Sequence, residues 1–102
     1  PCHYWGDLDT HGFAILNRLR RYLPAVRSLL MDADTLLCHR DLWQREDKPA
    51  GGPLERLTDA EQAVFDGLLT DRWGKRVRLE QERIDWGYAW EQVCGAHKSP
   101  YK

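Results

Sequence analysis

The sequence has 102 residues, the length of one small domain. Hydrophobic residues make up 42% of it, five of them tryptophan, which is enough to build a core and excludes a disordered chain. Charged residues make up 30% but nearly cancel to a net charge of -1, so any contact with nucleic acid has to come from a local patch, and no apolar run approaches the roughly 20 residues of a membrane span.

In chain order, "CHYWGDLD" (residues 2–9) is an apolar and aromatic run ending in polar residues, which predicts a buried strand with its functional end at Asp7 to Asp9. "THGFAILNRLRRYL" (10–23) places Phe13, Leu16, Leu19 and Leu23 at helical spacing, with Ile15 and Tyr22 beside the stripe, and Pro24 ends the helix. Gly12 falls in its first turn, where the missing side chain lets something approach the backbone. Val26 to Met31 predicts a second strand, again ending at a carboxylate, Asp32. Strand, helix and strand over about thirty residues is the spacing of a parallel βαβ unit.

"TLLCHRDLWQRE" (35–46) reads as a short helix with Leu36, Leu37 and Trp43 inward, and "DKPAGGPLER" (47–56) as a loop. "LTDAEQAVFDGLLTDRWG" (57–74) is the strongest helix signal. Thr58 caps it, Glu61 completes a capping box, Val64, Phe65, Leu68 and Leu69 form the buried face, and Gly74 is a candidate stop. "KRVRLEQERIDWGYAWEQVCG" (75–95) predicts a short strand from Arg76 to Leu79 and a last helix carrying Ile84, Tyr88, Trp90 and Val93; "AHKSPYK" is a tail.

Asp7 and Asp9 raise the chemical question. Like charges two residues apart repel unless a cation sits between them. At the carboxyl end of a strand such hard oxygen ligands suit Mg²⁺; the alternative is an Asx turn and a helix N-cap with both carboxylates solvated. Asp32 and Asp34 repeat the spacing, where Asp32 is a metal or catalytic candidate and Asp34 a cap for a helix starting at Thr35. Glu80 and Glu82 flank Gln81 and, on a continuing strand, point to one face, either a solvated face or a second metal-binding edge. His11 and His39 are ligand or acid–base candidates, or hydrogen-bonded structural histidines. The three cysteines, Cys2, Cys38 and Cys94, form no CxxC pair and read as reduced thiols in a cytoplasmic protein. With His3, His39 and His97 they match no zinc spacing. Arg18 and Arg21 share one helix face and are candidates for DNA phosphate contacts.

Taken in order, "GDLDTHGF", "MDADTLLCHRDLWQRE", "LTDAE" and "RLEQERI" resemble the C-terminal domain of JetD, the nuclease subunit of the Wadjet anti-plasmid system, over about Tyr4 to Trp90. That resemblance implies an α/β, Toprim-like (Rossmann-like) fold related to the A subunit of topoisomerase VI, a mainly parallel sheet flanked by helices. It implies a metal-dependent DNA endonuclease in which Asp7 and Asp9 are the catalytic metal ligands, Gly12 the glycine that follows them, and Glu80 and Glu82 a second acidic contribution, with Mg²⁺ or Mn²⁺ as cofactor. It also implies plasmid duplex DNA, SMC-type subunits and a second copy of the chain as partners. The Toprim pattern has a further glutamate after an earlier strand. With Pro1 in place of Met, residues 1–102 are expected to be the C-terminal part of a single Toprim-like domain that lacks its first strands. Departures from this reading are a haloacid dehalogenase-type phosphatase, with Asp7 as nucleophile and Asp9 as acid–base, and a non-catalytic docking or dimerisation fragment with tryptophans as interface anchors.

Overall fold

The computed structural model describes residues 2–84 and 86–94. Its elements are β1 (His3–Tyr4), α1 (Thr10–Tyr22), β2 (Arg27–Ser28), α2 (Ala33–Cys38), a 3₁₀ turn at Arg40–Leu42, β3 (Gln44–Arg45), α3 (Asp59–Leu69), β4 (Val77–Arg78), a second 3₁₀ turn at Gln81–Arg83, and α4 (Trp86–Cys94). The protein is a mixed α/β domain of short strands and longer helices.

β1 pairs in parallel with β2, His3 opposite Arg27 and Tyr4 opposite Ser28, with α1 as the crossover, so the βαβ unit is present. The ladder is extended by Arg27 N–H donating to Cys2 O at 3.0 Å and Leu29 N–H to Tyr4 O at 2.8 Å. β2 is shorter than the Val26–Met31 run suggested because Leu30 turns out of the strand path with φ 59°. The expectation of a mainly parallel sheet needs correction. β3 and β4 pair antiparallel, Gln44 opposite Arg78 and Arg45 opposite Val77, and an antiparallel bridge joins Leu8 to Leu79. The sequence over 35–46 is mixed in pattern, with a short helix as its expected element. The helix instead stops at Cys38, and Gln44–Arg45 leaves it to bond β4, with Trp43 Nε1 donating to Leu36 O at 2.8 Å.

Leu8, Phe13, Leu16, Leu36, Phe65 and Leu79 are the most deeply buried apolar side chains. Phe13 of α1 meets Phe65 of α3 edge to face, with centroids 6.3 Å apart. Several expected core residues lie outside it. Leu23 is beyond the last helical turn and exposed, as are Leu37 in the six-residue α2 and Leu69 in the last turn of α3. On α4, Ala89 is buried and Trp90 exposed, and buried Ile84 precedes the helix. The Val93 side chain expected on the inner face, and the tail from residue 95, lie outside the described residues.

α3 starts as its sequence predicts. Thr58 Oγ1 accepts from Glu61 N–H and Glu61 Oε1 accepts from Thr58 N–H, a complete capping box. It ends differently. Asp71, not Gly74, takes the left-handed conformation after the helix, with φ 56°. Arg72 N–H reaches back to Gly67 O and Asp71 N–H to Leu68 O, the bond pattern of a Schellman stop.

Glu61 also carries the main polar contact of the core. Arg20, buried on α1, donates from Nη1 to Glu61 Oε1 at 2.5 Å and from Nη2 to Oε2 at 3.0 Å. Ser28 of β2 donates to the same carboxylate, and Arg20 also donates to Val26 O and Arg56 O. Burial alone pushes Glu61 up, but the hydrogen bonds from Arg20, Ser28 and Thr58 outweigh it and hold the carboxyl at about 2, below its ordinary 4.5. A carboxylate with a depressed folded pKa adds stability above its unfolded pKa and loses it as pH falls through the folded one. Denaturant titrations at stepped pH are therefore expected to show a fall in stability between 4.5 and about 2. Glu61→Ala, which leaves Arg20 buried without its partner, is expected to cost about 3–5 kcal/mol at neutral pH and to flatten that acid limb.

Candidate functional site

The site follows from two short alternating segments, Asp7-Leu8-Asp9 and Arg78-Leu79-Glu80. Leu8 and Leu79 are fully buried and exchange both backbone hydrogen bonds, Leu8 N–H to Leu79 O at 2.8 Å and Leu79 N–H to Leu8 O at 3.1 Å. Because side chains alternate in extended chain, burying the two leucines sends their neighbours to the opposite face. That face therefore carries Asp7 and Asp9 beside Arg78 and Glu80.

Arg78 is the cation between the carboxylates. Its Nη2 lies 3.2 Å from Asp7 Oδ2 and 3.7 Å from Glu80 Oε2, and its Nε lies 3.0 Å from Asp9 Oδ2. The Asp9 contact is one of charge: the buried Nε–H finds no aligned acceptor. The other carboxylate oxygens are held by backbone. Asp7 Oδ1 accepts from Gln81 N–H at 2.8 Å, and Asp9 Oδ1 accepts from Gly12 N–H at 2.6 Å as the N-cap of α1. Asp9 thus caps a helix, but it is 3% exposed and not solvated. Arg83 completes the rim, its Nε 3.1 Å from Glu80 Oε1.

Glu46, which follows β3, is a member of this environment that sequence reasoning missed. It is buried, and its carboxylate accepts from Thr10 N–H, Thr10 Oγ1 and His11 N–H at the start of α1. No local pattern announces it; only the β3–β4 pairing brings it there. Burial pushes the Asp9 carboxyl above the ordinary carboxylate value. The charges of Glu46 and Asp7 push the same way, and the Gly12 N–H and Arg78 only partly offset them. Tyr4 is raised too, by burial and by Asp7 and Asp9. Burial pulls the Arg78 guanidinium down, but Asp9, Asp7 and Glu80 outweigh it, so it stays charged.

The remaining candidates are placed as follows. Glu82 is exposed in the second 3₁₀ turn, so "LEQE" does not offer two carboxylates along one strand face; the backbone turns at Glu80. His11 is exposed, with Nε2 2.5 Å from Lys48 O. Asp32, not Asp34, caps α2, its Oδ1 accepting from Thr35 N–H at 2.8 Å. It lines a cavity of about 380 Å³ against α3, whose lining includes none of the acidic residues around Arg78. His39 is buried, with Nδ1 2.8 Å from Thr35 O. Cys2 and Cys38 are free and exposed. Arg18 and Arg21 lie on the exposed face of α1, Arg21 beside a small groove with Asn17 and Arg56.

A family model described as Wadjet protein JetD, C-terminal, matches residues 1–93. The chain belongs to the JetD C-terminal family. No curated protein matches the sequence. The family match spans both segments of the site, "GDLD" and "RLE", and so includes every residue that contacts Arg78.

Asp7, Asp9 and Glu80 are hard oxygen donors that already surround a positive group, and they fit Mg²⁺ or Mn²⁺ in chemistry. As arranged here, however, no three Asp, Glu, His or Cys side chains among the described residues are grouped closely enough to hold a metal. Gly12 is fixed by the same geometry. A Cβ there would lie 1.9 Å from the Asp7 carbonyl oxygen and 3.3 Å from Asp9 Oδ1. Gly12→Ala is expected to destabilise the JetD-family fold by about 1–3 kcal/mol or more through forced backbone shifts. Gly51→Ala, where a Cβ would meet nothing within 4 Å, is expected to be near neutral; paired thermal melts check both.

Proposed function

We propose that this chain is a Toprim-like, metal-dependent DNA endonuclease domain of a Wadjet system, with Asp7, Asp9 and Glu80 as the ligands of Mg²⁺ or Mn²⁺. The carrying observation is the convergence of these three carboxylates on one cation at the end of β1, in a member of the JetD C-terminal family. The parallel β1–α1–β2 unit supports a Toprim-like sheet, since ligands of open α/β sheets gather beyond the carboxyl ends of strands. Asp9 is held above its ordinary value by burial first and by the charges of Glu46 and Asp7 second, despite its helix cap and Arg78. Glu82, exposed on the turn, is left out of the ligand set.

The ion would polarise a phosphodiester oxygen and stabilise charge on the attacking and leaving oxygens. Asp9 would orient its oxygen through the Gly12 N–H, and Asp7 through the Gln81 N–H. Arg18 and Arg21 on α1 offer charges for the backbone of duplex plasmid DNA. Family membership also favours work beside other Wadjet subunits, SMC-type partners and a second copy among them. Among the described residues no helix is long and apolar enough to cross a membrane.

Calorimetric titration with Mn²⁺ is expected to give binding that Asp7→Asn/Asp9→Asn abolishes. Asparagine keeps the helix cap at position 9, and a thermal melt of the double variant checks that it is folded. The same double variant in the full-length parent is expected to lose Mg²⁺- or Mn²⁺-dependent plasmid nicking. Intact cleavage would overturn the assignment. A docking role is the second reading, favoured by Trp86 and Trp90, four residues apart on α4 and 70% and 62% exposed. If it alone held, Trp86→Ala/Trp90→Ala would abolish plasmid defence while the aspartate variant kept it.

A further inference from the structure

We infer that the groove between α1 and residues 53–56 seats a backbone phosphate of duplex DNA, held by Arg21, Arg56 and the outward N–H groups of the Asn17 amide. The inference rests on the DNA reading above and names the place where the strand is gripped, away from the acidic corner.

Asn17 and Arg21 stand one helical turn apart on α1, and with Pro53, Glu55 and Arg56 they line a groove of about 200 Å³. Pockets that enclose a small molecule run to roughly 300–1,000 Å³, so this groove suits one group of a larger ligand. Its walls are fixed. Arg56 is tied to α1 through both of its backbone groups: its N–H donates to Asn17 Oδ1 at 2.7 Å, and its carbonyl accepts from Arg20 Nη1 at 2.8 Å. Arg20 is in turn held by Glu61. The bond from Arg56 also orients the Asn17 amide. With Oδ1 taken, Nδ2 presents two N–H donors that meet no acceptor among the described residues. Neither the Arg21 nor the Arg56 guanidinium makes an ion pair among the described residues. Glu55 lines the groove without pairing to either, so two positive charges face one negative. Planar N–H donors that meet oxyanion oxygens in pairs are how arginine recognises phosphate, and the amide adds a third planar donor. Asn17 and Arg21 lie eight and twelve residues beyond Asp9, about 12–18 Å along the helix, so changes in the groove leave the acidic corner in place.

The test is binding of a fluorescein-labelled DNA duplex by the purified chain in EDTA, followed by anisotropy over a range of salt. Asn17→Asp keeps an oxygen for the Arg56 N–H and puts a negative oxygen where the free donors were. It is expected to weaken duplex binding at least about tenfold, whereas a purely structural Asn17 would leave binding unmoved. Arg21→Gln/Arg56→Gln is expected to weaken binding equally for unrelated sequences and to lower the slope of log K against log salt by about 1. Arg72→Gln/Lys75→Gln removes the same charge from exposed positions in the turn after α3 and is expected to keep most of the affinity. Thermal melts check folding, and if Asn17→Asp does not fold the arginine pair decides. Unchanged binding in either folded groove variant, an equal loss in the Arg72/Lys75 pair, or no duplex binding by the unaltered chain would overturn the inference. So would a groove-dependent affinity for a polyglutamate peptide with duplex binding unmoved, which would assign the groove to an acidic protein. Mn²⁺ calorimetry on the groove variants is expected to match the unaltered chain, so failure of the groove and failure of the metal reading are told apart.

Discussion

The Arg20–Glu61 pair is the contact on which the rest of the arrangement hangs. It is buried at both ends, and its carboxylate is shared by the α3 capping box, the β2 hydroxyl of Ser28 and the guanidinium from α1. A buried charge without these partners would be costly. The sequence separation of 41 residues between Arg20 and Glu61 is closed only when α1, β2 and the start of α3 are all in place. The pair therefore makes the βαβ unit and α3 mutually dependent, and it fixes α1, whose N-terminus forms one wall of the acidic site. With Phe13 against Phe65 on the apolar side, α1 is held at both faces that matter.

A second constraint acts at the other end of α1. Leu8 and Leu79 pair across the chain and both go into the core. Period-two geometry does the rest: Asp7, Asp9, Arg78 and Glu80 have no option but the opposite face. The acidic face is thus a by-product of hydrophobic burial, which holds like charges together that would otherwise separate. Repulsion among them is met by Arg78, by two backbone N–H groups and by the start of α1, where Glu46 and Asp9 take up the free N–H groups of Thr10, His11 and Gly12. Negative charge placed at a helix N-terminus is favourable, which is why so acidic a corner is tolerated.

Much of this was legible in the sequence where the signal is local. The βαβ spacing, the α1 stripe and the Thr58–Glu61 capping box each sit within one element, and each is present. The Asp7–Asp9 pair stood out because two carboxylates around a leucine at the end of an apolar run demand a counter-charge. What was not legible depends on pairing between distant segments. Arg78 lies 71 residues from Asp7, and nothing near it in sequence distinguishes it from the other arginines. Glu46 depends on the β3–β4 pair, and strands of two residues carry no periodicity to read. Glu82 shares a face with Glu80 only if the strand runs on through "LEQE", and the turn after Glu80 ends it, leaving Glu82 on the exposed side. The stop of α3 at Asp71 shows the same limit: Gly74 is the better left-handed residue by propensity, but Asp71 takes the left-handed conformation that ends the helix.

The opening paradox of two aspartates two residues apart has, in this structure, a protein cation as its answer, and that bears on how the site would be used. A carboxylate cluster left bare would unfavourably repel itself and bind any available cation. One neutralised by a deeply fixed arginine, like Glu61 by Arg20, would be a structural pair and nothing more. Arg78 lies between these extremes. It is close enough to stabilise Asp7, Asp9 and Glu80, yet partly exposed and imperfectly matched to Asp9. The two arginines thus mark the two ends of one physical scale. Full burial with complete hydrogen bonding distinguishes Arg20, and partial burial with an unmatched donor distinguishes Arg78.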